Sequence, residues 1–216
     1  MTEGLRERKK RQTRQHISDV ATGLFLERGF DAVTIAEIAK AADVSVNTVY
    51  NYFPAKEDLF LDREHDAVEW LATVVRGRPA GESAADAVLR SLRAEAVAVS
   101  PRLGLIDGYD RFLRVIGESQ ALRSRLLDMH RRATESLTAV LAQEAGAEGE
   151  GDGGLMPALV ASQLGWVQGH VVEFIQHEMV AGRTAAGTSR AALVLLDEIE
   201  GLLSERLRGY ARRLVL

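Results

Sequence analysis

Apolar residues recur at three- and four-residue spacing along nearly the whole chain, the period of amphipathic helices. Ile17, Val20, Ala21, Leu24 and Phe25 mark one face of a helix running to about Arg28, and Gly29 closes it. Two short helical patterns follow over residues 34–53. Leu59, Phe60, Ala67, Trp70, Leu71 and Val74 predict a longer helix over about 55–75. Val88, Leu89, Leu92 and Ala96 predict another, capped by Ser83 with Asp86 three residues on. Ser100-Pro101 starts a helix carrying Leu105, Tyr109, Phe112, Leu113 and Ile116, although Gly104 and Gly108 weaken it. Leu122, Leu126, His130, Ala133, Leu137, Val140 and Leu141 keep the period to about residue 143. Two further helices are predicted over about 155–180 and 188–213. No stretch joins strand alternation to turn chemistry, so the pattern predicts an all-α chain of about nine helices.

The two short patterns carry the strongest local signals. Thr34 is an N-cap with Glu37 at capping-box spacing, and Val33 and Ile38 suit a hydrophobic staple. Ser45 repeats the cap, with Val44 placed to pack on Val49. Ala41-Ala42-Asp43 between them is long enough only for a sharp reversal. Helix, tight turn, helix is the layout of a helix-turn-helix, whose second helix enters the DNA major groove. Pro54 cannot continue that second helix.

The residues Thr34, Ile38-Ala39, Ala42-Asp43-Val44-Ser45, Thr48-Val49-Tyr50-Asn51-Tyr52-Phe53 and Lys56-Glu57-Asp58-Leu59 resemble the signature of TetR-family transcriptional regulators, ungapped over about residues 17–60. One position departs: Asp43 stands where the family usually has a turn glycine. Asp tolerates the left-handed conformation better than most residues, so the turn is expected to survive. The resemblance implies a DNA-binding domain over 1–54 and a helical effector-binding and dimerisation domain over 55–216. It also implies a homodimer, a palindromic operator, repression as the default and release by a small-molecule effector.

Length and composition fit that picture. The 216 residues, 46% hydrophobic and 27% charged, can bury a substantial core. Cysteine is absent, which removes disulfides and thiolate chemistry. A charged N-terminus and the lack of any membrane-spanning apolar run predict a cytoplasmic protein without membrane partners. The net charge of -4 hides an asymmetry: Arg6, Arg8, Lys9, Lys10, Arg11 and Arg14 crowd the start, whereas Glu144, Glu148, Glu150 and Asp152 lie far along the chain. Residues 1–8 are expected to form a mobile basic arm approaching phosphates or the minor groove. Residues 146–154 (GAEGEGDGG) are acidic, low in complexity and expected to be flexible.

If the second short helix lies in the major groove, Val46 faces a thymine methyl, and Asn47 and Asn51 face adenine directly or through water. Thr48, Tyr50 and Tyr52 carry hydroxyls suited to phosphates, a role the resemblance implies for them. Ser45 stands beside them as the cap, and Thr34 would touch the backbone as well as cap. Lys56 falls in the first turn of a helix, where the macrodipole disfavours a cation unless both meet a phosphate.

In the body, candidate effector liners are Trp70, Tyr109, Phe112, Met129, His130, Gln163, Trp166, His170 and Phe174, a mixture suited to a moderately apolar organic molecule. The last two helices offer Val160, Leu164, Val167, Val171, Leu195, Leu196, Ile199, Leu202 and Leu203 for pairing with a second copy. No cofactor is implied. Two rival readings stand beside this one. His170, Glu173 and His177 share a helix face, as a metal sensor or metal-dependent enzyme would need, but Phe174 replaces the second His of the inverted zinc-protease pattern. A ligand-independent architectural DNA binder would keep the head alone. No nucleophile elbow, P-loop or dinucleotide turn points to an enzyme.

Overall fold

The computed structural model describes residues 4–62, 64–147 and 155–213. Among them all regular structure is helical. The elements are α1 (Leu5–Arg28), α2 (Ile35–Ala41), α3 (Val46–Tyr52), α4 (Glu57–Phe60), α5 (Glu64–Arg76), α6 (Ala84–Val97), a 3-10 turn (Pro101–Leu103), α7 (Tyr109–Glu118), α8 (Gln120–Ala147), α9 (Leu155–Val180), α10 (Ala185–Leu202) and α11 (Glu205–Gly209). They form two compact units, Met1–His65 with Arg111–Leu127, and Asp66–Asp110 with Asp128–Leu216.

In the first unit α1 packs on α2 and α4, and α2 on α3. Ile17, Ala21, Phe25, Phe30, Val33, Ile38, Val49, Phe53, Leu59 and Phe60 are buried between them. The phenyl rings interlock: Phe25 lies 4.9 Å from Phe30 and meets Phe60 edge-on at 5.7 Å. Each such pair contributes roughly 0.5–1.5 kcal/mol beyond its buried area.

The long helix expected over 55–75 is instead two. α4 stops at Phe60, Leu61 leaves helical geometry at φ −105 and ψ 43, and α5 begins at Glu64. α1 supplies partners for carbonyls at the break. Ser18 Oγ donates to the Leu59 carbonyl at 3.3 Å, and Arg14 donates to that of Asp62 at 3.1 Å. At the chain's start the helix reaches further than expected. Residues 5–8 are helical rather than an arm, because Arg, Lys and Glu are good helix formers and Glu7 favours the positive end of the dipole.

In the second unit α6 packs against α9, α10 and α11, and α9 against α10. Val88, Leu89, Leu92, Leu137, Leu141, Leu164, Val167, Val171 and Leu196 lie in its core. The helix expected from Ser100 is replaced by the 3-10 turn, and α7 starts only at Tyr109. Gly104 explains the interruption: it is left-handed at φ 81, and a Cβ there would sit 2.5 Å from the Tyr109 ring. The final predicted helix also divides, because Ser204 caps α11 by accepting from the Leu207 N–H. α8 extends to Ala147, taking in the start of the expected flexible segment, and residues 148–154 lie outside the described residues. No helix among the described residues is long and apolar enough to cross a membrane.

Candidate nucleic-acid interface

The helix-turn-helix forms as its caps predict. Thr34 Oγ1 accepts from the Glu37 N–H, and the Glu37 carboxylate accepts from the Thr34 N–H at 2.8 Å. Thr34 also donates its hydroxyl proton to Glu37 at 2.8 Å, and Arg28 holds the other carboxylate oxygen at 2.7 Å. Those bonds, the Thr34 N–H foremost, hold the Glu37 carboxyl down to about 2. Thr34 is exposed, but its hydroxyl proton is used within the box and is not available to a phosphate.

At the turn the Val44 N–H reaches back to the Ala39 carbonyl at 3.0 Å, closing α2 in the manner of a Schellman motif. That closure needs a left-handed residue, and Asp43 provides it at φ 53.

α3 then divides cleanly. Val49 and, just past its end, Phe53 are buried, at 0% and 1% exposure. Val46, Asn47, Tyr50 and Asn51 face out, while Thr48 and Tyr52 are half-buried beside them. Asn47 and Asn51 are one turn apart and share a face; Val46 and Tyr50 do the same on the neighbouring edge. Ser45 Oγ accepts from the Thr48 N–H at 3.0 Å and lies 2.8 Å from the Thr48 hydroxyl. One hydroxyl must donate to the other, so the pair retains a single outward proton. No charged side chain stands on this helix.

Lys56 is placed differently from its neighbours. It is the N-cap residue of α4, and its ammonium donates to the Phe30 carbonyl at 2.6 Å while lying 4.4 Å from the Phe30 ring centre. Burial pulls its pKa down against the attraction of Asp31, Glu57 and Glu37. The expected phosphate ligand is thus tied to the connection between α1 and α2. Arg14, one of the cations near the start of the chain, stacks over Phe53 at 4.7 Å. Sequence reading missed the ion pair from Arg125 to Asp58 at 2.8 Å, whose partners stand 67 residues apart. No local spacing signals it.

The body corrects several expectations. The nine proposed effector liners differ in burial. Trp70 is buried in the core of the second unit, whereas His130, Gln163, Trp166 and His170 are exposed. Tyr109, Met129 and Phe174 are half-buried, and burial raises the Tyr109 phenol. Phe112 belongs to the first unit, stacked on Phe60 at 4.2 Å. α8 and α9 also approach closely. A Cβ on Gly165 would lie 3.3 Å from the Thr134 hydroxyl, and one on Gly169 3.3 Å from the His130 ring. An open groove of about 310 Å³ in the second unit is lined by Glu82, Asp86, Leu89, Arg90, Arg93 and Glu200.

The pairing residues need a sharper correction. Val160, Leu164, Val167, Val171, Leu196 and Ile199 are each at most 4% exposed inside their own protomer and have no surface left to offer. Leu195 and Leu203 are half-buried. Only Leu202 stands out, at 82%, joined by Leu155, Leu159, Trp166, Val180 and Val194. α9 is apolar around much of its circumference, so periodicity could not say which stripe faced inward. His170, Glu173 and His177 do not converge either. His170 lies 3.8 Å from Glu173, while His177 lies 3.8 Å from Glu178. Among the described residues no three His, Asp or Glu side chains form a metal site.

A capped helix-turn-helix presenting an uncharged, hydrogen-bonding face defines a helix-turn-helix DNA-binding protein. Residues 17–62 match the family model for bacterial regulatory proteins of the tetR family. It is 29% identical over 154 residues to the HTH-type transcriptional regulator TcmR of Streptomyces glaucescens, covering 69% of this chain and 67% of that one. It is 37% identical over 63 residues to the HTH-type transcriptional repressor KstR of Mycolicibacterium smegmatis, an alignment spanning 28% of this chain and 31% of the other. Its fold is similar to that of NalD, the secondary repressor of the MexAB-OprM multidrug efflux pump in Pseudomonas aeruginosa. The TM-score is 0.58 at 18% identity, over 90% of this chain and 99% of NalD. The relatives that it matches are transcription regulators.

Proposed function

We propose that the chain is a repressor that binds a palindromic operator as a homodimer and leaves it when a small organic molecule occupies its helical body. The observation that carries this reading is the outward face of α3: Val46, Asn47, Tyr50 and Asn51 exposed on a frame whose two helix starts are side-chain capped. In this reading residues 1–54 contact DNA, and residues 55–216 hold the effector and the second copy. Asn47 and Asn51 read base edges and Val46 a thymine methyl. Ser45, Thr48, Tyr50 and Tyr52 hold phosphates. Thr34 acts through the cap it forms. Lys56 spends one of its three N–H donors on the Phe30 carbonyl and offers the others to a phosphate. With no cation on α3, water and DNA shape supply much of the specificity.

The second copy pairs through the exposed stripe of Leu155, Leu159, Trp166, Val180, Val194 and Leu202, which gives the α3 helices a two-fold relation matching a palindrome. The effector is a moderately apolar molecule, in keeping with the aromatic residues of the body, and it must bind one state of the dimer better than the other. The protein works in the cytoplasm, where its operator is.

Selection of bound duplex from a random pool tests the reading directly. A palindromic consensus is expected, and a wild-type protein that enriches no sequence overturns it. With that duplex in hand, Asn47→Ala is expected to relax discrimination at one position, and Tyr52→Phe to weaken binding across sequences. Equal loss of cognate and scrambled affinity for Asn47→Ala removes its reading role.

A further inference from the structure

Lysine is confined to one end of this chain. Lys9, Lys10, Lys40 and Lys56 are its only lysines, and beyond residue 56 arginine carries the basic charge. The two cations differ in reactivity as well as shape. A guanidinium stays protonated at physiological pH and is inert to acyl donors, whereas a lysine amine that has lost its proton is a nucleophile. An amine-selective acyl donor therefore leaves the arginines after residue 56 charged and acts on cations of the first compact unit.

The four lysines stand in different surroundings. Lys9, Lys10 and Lys40 are exposed. Lys56 is half-buried, with its nitrogen 4.4 Å from the centre of the Phe30 ring and 5.7 Å from that of Phe25. One N–H goes to the Phe30 carbonyl at 2.6 Å. Burial pushes its pKa down, past the opposing attraction of Asp31, Glu57 and Glu37. A neutral amine that donates to a carbonyl keeps its lone pair for an incoming acyl carbon. Acylation at this nitrogen removes two things together, a positive charge offered to a phosphate and a cation held beside two rings. The resulting amide still has one N–H for the Phe30 carbonyl, so the local fold is not forced open.

We propose that Lys56 is an acylation site, through which an activated acyl group, carried as a thioester or an acyl phosphate, weakens the hold of the helix-turn-helix on DNA. The amine nitrogen attacks the acyl carbon. The C–N bond forms as the C–S or C–O bond breaks, the thiol or phosphate departs, and the amine proton passes to water. The effect on DNA rests on the DNA-binding reading above; the reactivity of the amine does not.

The test treats the folded full chain with acetyl-coenzyme A in one arm and acetyl phosphate in the other, and follows each lysine by peptide mass spectrometry. The same chain unfolded in urea is the reference, which cancels the influence of local sequence. The ratio of Lys56 to Lys40 acetylation is expected to be at least about threefold higher in the folded chain. An equal or lower ratio in both arms overturns the proposal, and the arm with the higher ratio identifies the donor class. Duplex affinity is then read by fluorescence anisotropy in a chain carrying Lys9→Arg, Lys10→Arg and Lys40→Arg, in which Lys56 is the sole lysine. Each protein is compared with itself before and after treatment, and circular dichroism establishes that it is folded. Acetylation is expected to weaken binding of the selected duplex at least about fivefold and to lower the salt slope by about one, the mark of one lost phosphate contact. A chain that also carries Lys56→Arg reports the effect of the terminal amine and is expected to change less than about twofold. If the triple variant is not folded, the wild type and Lys56→Arg take the place of these two chains. Full acetylation of Lys56 with unchanged affinity overturns the proposal and leaves DNA binding standing. A protein that binds no duplex before treatment overturns the DNA-binding reading and the regulation with it, while the folded-to-unfolded ratio still decides the reactivity.

Discussion

Arg78 meets both carboxylate oxygens of Glu144, at 2.9 and 2.7 Å, from a position with 1% of its surface exposed. The same guanidinium donates to the carbonyls of Val75, Glu82 and Ala211, so one side chain joins the end of α5, the turn before α6, α8 and the chain after α11. Removing it leaves those acceptors unpaired in the interior. Arg78→Met is expected to cost about 3–5 kcal/mol, the range for breaking a buried pair, and to lower the melting temperature by roughly 6–20 °C. Glu144→Gln is expected to cost less, because Glu144 is one-third exposed and Gln keeps an acceptor. Thermal unfolding followed by circular dichroism ranks the two.

Arg78 also marks where the sequence stops being legible. It lies in a Gly- and Pro-containing loop, RGRPAGE, and nothing local shows that its partner is 66 residues away. The caps at Thr34, Ser45 and Ser83 were legible because each is complete within four residues. So was the left-handed Asp43, required by the length of the turn. The break after α4 was not, since its carbonyls find partners on α1, more than 40 residues earlier. In α9 apolar residues occur on several faces, and only the fold selects which are buried.

The exposed apolar residues of α9 and α10 make separable predictions about assembly and stability. Trp166→Glu and Leu202→Glu place charge where a second copy is expected, and sedimentation velocity should show them as monomers. Their melting is expected to change little beyond the loss of the partner. Leu164→Ala empties space in the protomer core and is expected to cost about 2–5 kcal/mol, with sedimentation still showing a dimer. A dimeric Trp166→Glu together with a monomeric Leu164→Ala would restore the original assignment.

The capping box gives the head an acid-sensitive element. Glu37 titrates near 2 in the folded chain against an ordinary 4.5, so folding favours its ionised form. Its contribution is complete above about pH 4.5 and is lost as pH falls toward 2. Glu37→Gln is expected to lower stability at neutral pH and to flatten the acid limb between those values. Denaturant midpoints measured across that range check it. Salt should shrink the difference, because the Arg28 pair is exposed.

Asp43 combines two separable properties, a backbone conformation and a charge. At φ 53 it occupies the region where a β-branched residue costs most, so Asp43→Val is expected to destabilise by about 1–2 kcal/mol. Asp43→Gly removes the steric cost but adds backbone entropy to the unfolded chain, leaving a gain of no more than about 1 kcal/mol. Asp43→Asn keeps the tolerance for left-handed geometry and removes only the charge. Asp43 is exposed in the turn leading into α3, so its carboxylate repels a phosphate backbone that approaches α3. Asp43→Asn is therefore expected to tighten duplex binding several-fold at low salt, with the advantage narrowing as salt rises. Anisotropy titrations at two ionic strengths decide it. Equal affinities at low salt would mean that the carboxylate points away from the DNA and that conformation alone accounts for Asp at this turn.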